Sequence, residues 1–420
     1  MGKLFDPDWM VVLPCLLAIG AVLWHTRRFP ESIVSPLSVF VLVHAGTMAI
    51  SFLKMYRWMT DWYLATWIVH LVPLSLFVLG CFAAGAIPYA PAGVRPRELG
   101  YGAKAPLLRI EAFAIIYSLI AVVWAYKVAG KFPIFALNPE IARAKFGGVN
   151  VFVGWGFNFN VIAIIGGLIL AIFSRGLSRW VGVFGVFVGL GVQTLAGVRN
   201  LHLMAVVFGT SIWTLSKSAI RMRAIMAIGV IFTVIFVLIA LLRAQTLFAL
   251  MLSDTESLKA LLLPIYSYAA NCYWNLDYAV LAHLNIAYPH SLGLQFLAAL
   301  FTPGGLETKF VNLLLLDKGV MKVSGFNTLP YTWYLYQDGG IVFSGIVSAI
   351  WGFFMTRLFY WARAKPDLGR TVIYSFLLFP IAMSFFVWYY SMFFFIVFIP
   401  LIAYMGTLTT RTKFGNENRR

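Results

Sequence analysis

The stretch GFNTLPYTWYLYQDGGIVFSG, residues 325–345, closes a run of aromatic residues with one carboxylate, Asp338, followed by Gly339, Gly340 and an apolar segment. Three roles are open to Asp338: general base for a hydroxyl, ion-pair partner of an arginine, or N-cap of the apolar helix, where its charge complements the helix dipole. The glycine pair favours close backbone approach, because a helix start needs no glycines. Tyr331, Trp333, Tyr334 and Tyr336 suit an aromatic belt at a membrane interface, or a platform for sugar rings.

The second kind of chemistry is cationic. In LAGVRNLHLM, Arg199 stands between two apolar runs with almost no loop around it. A guanidinium inside a bilayer costs roughly 2.5–3.5 kcal/mol at a helix centre, so a residue kept there reads first as functional. The bland alternative is a tight turn whose arginine reaches lipid headgroups. Gly197 would let a substrate approach the backbone, and His202 shares a face with Arg199 if the helix continues, as a secondary candidate for proton transfer.

Arg243 closes another apolar run, in LIALLRAQT, and the stretch 127–154 holds Lys127, Lys131, Arg143 and Lys145 against a single acid, Glu140. The planar guanidinium offers two parallel donors to phosphate. Arg143, with Lys145 beside it, is open between that role and headgroup anchoring, while Lys127 and Lys131 read as snorkelling anchors. Arg143, Arg199 and Arg243 together would balance a diphosphate, so neither metal nor cofactor is called for. His44 and His70 read as hydrogen-bonded packing residues, and His283 and His290 carry no reading. Asp6-Pro7-Asp8 formally makes a DxD metal motif, but acids just ahead of an apolar helix more often cap it.

These residues need elements to hold them. The chain has 420 residues, 61% hydrophobic and 11% charged, with a mean hydropathy of +0.86. Soluble domains carry about 25% charged residues. Eleven apolar runs lie near 9–24, 34–53, 64–87, 111–129, 155–173, 180–197, 200–216, 224–242, 339–361, 371–389 and 391–408. They predict an all-α polytopic transmembrane bundle of about 11 spans (10–13), a single integral membrane domain over 1–420. The 180–216 region also reads as one hairpin broken at 197–200.

Lys and Arg crowd the alternate short connections at 27–28, 95–109, 175–179, 217–223, 363–370 and 411–420. That pattern puts these connections and the C-terminus in the cytoplasm and the N-terminus outside. Two large outer connections follow, near 127–154 and 243–338. LKALLLPIYSYAA and SLGLQFLAALF in the second read as short amphipathic helices on or over the bundle.

The formal charge of +17 thus reports topology and lipid contact rather than nucleic acid, and three scattered cysteines give no disulfide framework or metal spacing. MGKLFDPDWM lacks a basic n-region, so the first run reads as a retained span. No P-loop, HExxH or GxSxG motif occurs.

With its span pattern, its large second outer loop, LAGVRNLHL and GFNTLPYTWYLYQDGGIVFSG, the chain resembles the Wzy-type polysaccharide repeat-unit polymerases, which include O-antigen polymerases. Arg143 and Gly154 match an Arg-x10-Gly spacing of some members. Members commonly keep both termini inside, so an odd span count departs from the family unless a further span lies within 258–302. The resemblance implies a glycosyltransferase of the bacterial inner membrane, active at its periplasmic face, that joins repeat units carried on undecaprenyl pyrophosphate.

It further implies that Arg199, Arg143 and Arg243 hold the pyrophosphate and that Asp338 activates the acceptor hydroxyl, with His202 in reserve. Asn327 and Tyr336 would contact sugar, with Lys145 and Gly339 at the substrate. A chain-length regulator protein and membrane lipids are the implied partners. The rivals are an O-antigen ligase, with the same donor, and a lipid-linked oligosaccharide flippase or other transporter. A purely structural subunit explains neither the outer arginines nor the long connection. Replacing Arg199 by Ala should abolish long glycan chains while membrane insertion persists, and a normal ladder of chain lengths in that variant would remove Arg199 from the chemistry.

Overall fold

The computed structural model describes residues 7–55, 61–87, 99, 101–136, 142, 145–146, 151–198, 200–217, 257–286, 290, 328–364 and 367–410, with scattered positions between 220 and 238. Among these residues every regular element is helical: α1 (Trp9–Arg28), α2 (Pro36–Ser51), α3 (Leu64–Gly85), α4 (Tyr101–Ala129), α5 (Val151–Phe173), α6 (Leu177–Leu195), α7 (Asn200–Ser216), α8 (Ser257–Ile286), α9 (Tyr331–Ala364), α10 (Leu368–Met383) and α11 (Phe393–Thr410).

Six of the helices, α1, α3, α4, α5, α6 and α9, are long and apolar enough to cross a membrane, and α2, α10 and α11 are shorter apolar helices. Leu17, Phe82, Ile116, Phe187 and Ile350 are all more than half exposed on outward faces. An apolar exterior of this extent suits lipid, not water. Helices coincide with ten of the eleven apolar runs, and the run at 224–242 lies largely outside the described residues.

The chain divides into two compact units. The first comprises Met1–Pro91, Tyr266–Ala364 and Leu377–Ile399; the second comprises Ala92–Ile265, Lys365–Phe376 and Pro400–Arg420.

In the first unit α3 lies against α9 so closely that a methyl at Gly80 would meet the Ala349 carbonyl, and one at Gly352 the Phe77 carbonyl. Phe77 stacks on Phe40 of α2 with centroids 3.9 Å apart and meets Trp351 edge-on at 5.0 Å. The end of α9 is joined to the turn after α1 by the Arg363–Glu31 ion pair at 2.6 Å. Two connections that the charge pattern assigns to one side thereby meet. Asp8 caps α1, accepting from the Met10 N–H at 3.1 Å, which accounts for the second acid of the DxD triplet; Asp6 lies outside the described residues.

Of the two short amphipathic helices expected in the long connection, LKALLLPIYSYAA falls within a longer helix, and SLGLQFLAALF lies outside the described residues. The connection's described residues include one 30-residue helix, α8, and the first two turns of α9; residues 266–283 of α8 are mostly buried in the first unit. The reason is polar pairing, which hydropathy does not register. Tyr266 donates to the Ser51 carbonyl and accepts from the Met55 N–H, each at 3.0 Å. Asp277 accepts from Thr66 Oγ at 2.6 Å and from the Tyr63 N–H at 3.3 Å. Tyr63 is the N-cap position of α3 and brings no side-chain cap of its own, so α8 supplies that cap from across the unit.

In the second unit α5 is the central helix, packed on α4 and α6 through small residues. Ser118 Oγ donates to the Gly156 carbonyl at 3.2 Å, and Gly167 and Gly182 place α5 against α6 at backbone distance. The expected break between α6 and α7 is a two-bond helix stop. Gly197 has φ +69, its N–H bonds to the Thr194 carbonyl at 2.9 Å, and the Val198 N–H bonds to that of Gln193 at 2.8 Å. Left-handed glycine with this pair of bonds ends a helix, so Gly197 makes the turn.

Asp277→Ala should lower stability by about 1–3 kcal/mol, because it removes the cap from the Tyr63 N–H and leaves the buried Thr66 hydroxyl without its partner. Thermal unfolding in detergent, followed by tryptophan fluorescence, measures this; an unchanged midpoint would mean the cap contributes nothing.

Candidate functional site at the break in α9

α9 is two helical stretches joined by two residues with non-helical backbone, Gly339 (φ −159, ψ 24) and Gly340 (φ 71, ψ −166). The left-handed φ at Gly340 is open to glycine at little cost and strained for other residues. Upstream of the break lie two turns, Tyr331–Asp338, held on several sides. The Tyr331 N–H donates to the Ser384 carbonyl at 2.8 Å, and Thr332 Oγ lies 3.1 Å from His70 Nδ1. The Tyr331 ring stacks with Trp388 at 5.9 Å and meets Trp351 at 5.3 Å. His70 and His44 thus take the packing roles expected of them, His44 through Ser384 Oγ at 2.8 Å.

Asp338 ends this upstream stretch and is buried, with 1% of its surface exposed. It closes the first stretch, from the C-terminal end of two turns, and stands ahead of the second across the glycine pair. Beside it in sequence, Tyr336 joins a cluster of rings. His283 from α8 lies 5.4 Å from Tyr336 and 5.9 Å from Trp333, and His290 lies 5.5 Å from His283 and 5.7 Å from Tyr336.

At Gly340 a side chain comes close to the backbone, whereas at Gly339 the nearest atoms are those of Phe343 in the same helix. A Cβ on Gly340 would sit 3.1 Å from His290 Nε2. Burial first, and then the neighbouring His290, lower the pKa of His283 below the ordinary imidazole value. His283 is therefore neutral at neutral pH and able to accept a proton. Neutral imidazole, phenol and indole gathered here can orient a hydroxyl and take its proton.

The predicted residues distribute unevenly. Asp338, Gly339 and Tyr336 fall together on α9 in the first unit. His202 belongs to the second unit, near the start of α7, where its Nε2 lies 2.9 Å from Thr194 Oγ of α6. Because the Thr194 hydroxyl donates to the Leu190 carbonyl at 2.9 Å, Nε2 of His202 is the donor, and the contact ties the two arms of the hairpin. Lys145, also in the second unit, is exposed. Arg143, Arg199, Arg243 and Asn327 lie outside the described residues.

His283 and His290 are the residues that sequence reading missed. Ser267, Asn271, Asn275 and His283 are all buried and recur at multiples of four residues; that spacing is the signal that would have carried a helix through the loop to His283. No group of three or more His, Cys, Asp or Glu side chains suited to a metal ion occurs among the described residues. No protein-family model, curated protein or solved structure matches the chain.

Gly340→Ala should destabilise the protein by about 1–2 kcal/mol from backbone strain alone, with a further cost from the His290 ring. Adding His290→Ala should recover only the second part. Equal melting temperatures for Gly340→Ala and the parent protein would show that the break is not held in this conformation.

Proposed function

We propose that the protein is a metal-independent glycosyltransferase of the bacterial inner membrane that polymerises oligosaccharide repeat units carried on undecaprenyl pyrophosphate, acting at the periplasmic face. The observation that carries the reading is the break in α9, where buried Asp338 is followed by two non-helical glycines and the rings of Tyr336, Trp333, His283 and His290 gather. Aromatic rings bind the apolar faces of sugars, and a carboxylate with a neutral imidazole nearby supplies a base.

In the proposed reaction the acceptor hydroxyl attacks the anomeric carbon of the donor sugar. The bond from that carbon to the pyrophosphate oxygen breaks, and the hydroxyl proton passes to Asp338. Undecaprenyl pyrophosphate leaves with its charge held by Arg199, Arg143 and Arg243, the guanidiniums acting where negative charge develops. Tyr336 and Asn327 contact sugar, Lys145 supports the anionic group, and Gly339 gives the acceptor room at the backbone. A chain-length regulator would act on the growing product. An O-antigen ligase would use the same donor with a different acceptor.

A second reading also draws on the break. Discontinuous helices are a device of transporters, which place a substrate between half-helices. A lipid-linked oligosaccharide flippase would therefore also use α9 in this form.

Purified protein given lipid-linked repeat unit as its sole substrate separates the three. A polymerase extends it into a ladder, a ligase needs its separate acceptor, and a flippase changes its leaflet without changing its length. Asp338→Asn should reduce extension by 100-fold or more, in line with the roughly 10²–10⁴-fold worth of a positioned base. Near-normal turnover in that variant would leave Asp338 a purely structural role.

A further inference from the structure

The second unit contains an acid that the proposed reaction does not use. Glu111 of α4 is fully buried, and neither of its carboxylate oxygens has a hydrogen-bond partner. The side chain is seated between α5 and α6. A methyl added to Gly166 of α5 would overlap Oε2, and one added to Gly185 of α6 would overlap Oε1. The Ile115 side chain and the Met405 methyl group close round the same two glycines, each 3.3 Å from the position a Cβ would take. The seat is glycine and hydrocarbon.

Charge that could balance an anion is absent from the described faces around it. α5 carries no ionisable side chain. On α6 the ionisable residue is Arg179, exposed and six residues ahead of Gly185. On α11 Tyr404, next to Met405, is exposed. On α4 itself Arg109 is exposed, Lys104 is half-buried two turns before Glu111, and Tyr117 gives its hydroxyl proton to the Phe152 carbonyl at 2.8 Å.

A carboxylate ion in such a seat has lost its hydration and gained nothing in exchange, so the group takes the neutral form. An ionisable residue kept inside an apolar helix bundle marks a functional site by default. We propose that Glu111 is a proton-binding site: a carboxylic acid loaded at neutral pH, whose proton permits α4 to close on the glycine faces of α5 and α6. Releasing the proton creates an anion that requires water or a cation, and neither fits until those faces part. Proton binding and the packing of the three helices are then one equilibrium, independent of the chemistry assigned to Asp338.

Infrared spectroscopy of the full-length protein in lipid tests this directly. At neutral pH the parent protein should show the carbonyl stretch of a protonated carboxylic acid, shifted when glutamate alone carries a ¹³C carboxyl group and missing from Glu111→Gln. The isotope arm needs no variant and separates Glu111 from Asp277 and Asp338. Absence of a glutamate acid band in the parent protein, or its survival in Glu111→Gln, would overturn the proposal. The melting temperature of the parent protein should fall more steeply than that of Glu111→Gln as pH rises on the alkaline side; parallel profiles would overturn the link to packing.

Discussion

The start of α9 hangs on Ser384. Its carbonyl takes the Tyr331 N–H, while its hydroxyl donates to the Ile381 carbonyl at 2.7 Å. With that proton committed, His44 Nε2 must be the donor in the 2.8 Å contact between them. The same reasoning runs through the next pair. Thr47 gives its proton to the Val43 carbonyl at 2.7 Å, so Tyr273 donates to Thr47 at 2.8 Å. That leaves no proton for the 3.3 Å approach of the Tyr273 oxygen to His44 Nδ1, which is a contact rather than a second hydrogen bond from Tyr273. Each of the two directions is fixed by a hydroxyl that gives its proton to a backbone carbonyl. In apolar surroundings a polar group without a partner costs about 1–3 kcal/mol, so the chain of donors holds α2, α8 and the segment after α10 in a single arrangement. The two turns that end at Asp338 are set by that arrangement.

The two units handle polarity in different ways. In the first, polar residues are plentiful and answer one another across helices, as Asp277 does for the start of α3. In the second, close packing of glycines dominates, and Glu111 is an acid among them without a partner. A polar network suits a site that must orient a reacting group. A glycine-lined seam suits one that discriminates between a neutral and a charged form of the same side chain, since it offers a charge nothing.

Apolar runs were legible because burial in lipid or against other apolar helices leaves the same mark on composition, and the helices follow them closely. α8 was not legible as a long helix, since Asn275 and Asp277 lower its hydropathy while their pairing takes place with residues about 50 and over 200 positions away. Gly197 and Gly340 looked alike on the page, each a glycine beside a candidate residue. The backbone tells them apart, Gly197 stopping a helix through two hydrogen bonds and Gly340 carrying a kink beneath an imidazole. The carboxylate at Asp338 and its aromatic neighbours were readable from their order alone. The histidines that join them come from a distant stretch, and no local pattern links 283 and 290 to 336.

The contact between α3 and α9 has a consequence for how this protein can vary. At most tight helix crossings a larger residue on one side is offset by a smaller one opposite. At Gly80 and Gly352 the opposing atoms are the carbonyl groups of Ala349 and Phe77, which every amino acid carries. No exchange of side chains on the facing helix can make room, so these two positions have no compensating partner anywhere in the sequence, and drift at either one is closed off for as long as the two helices cross at this point.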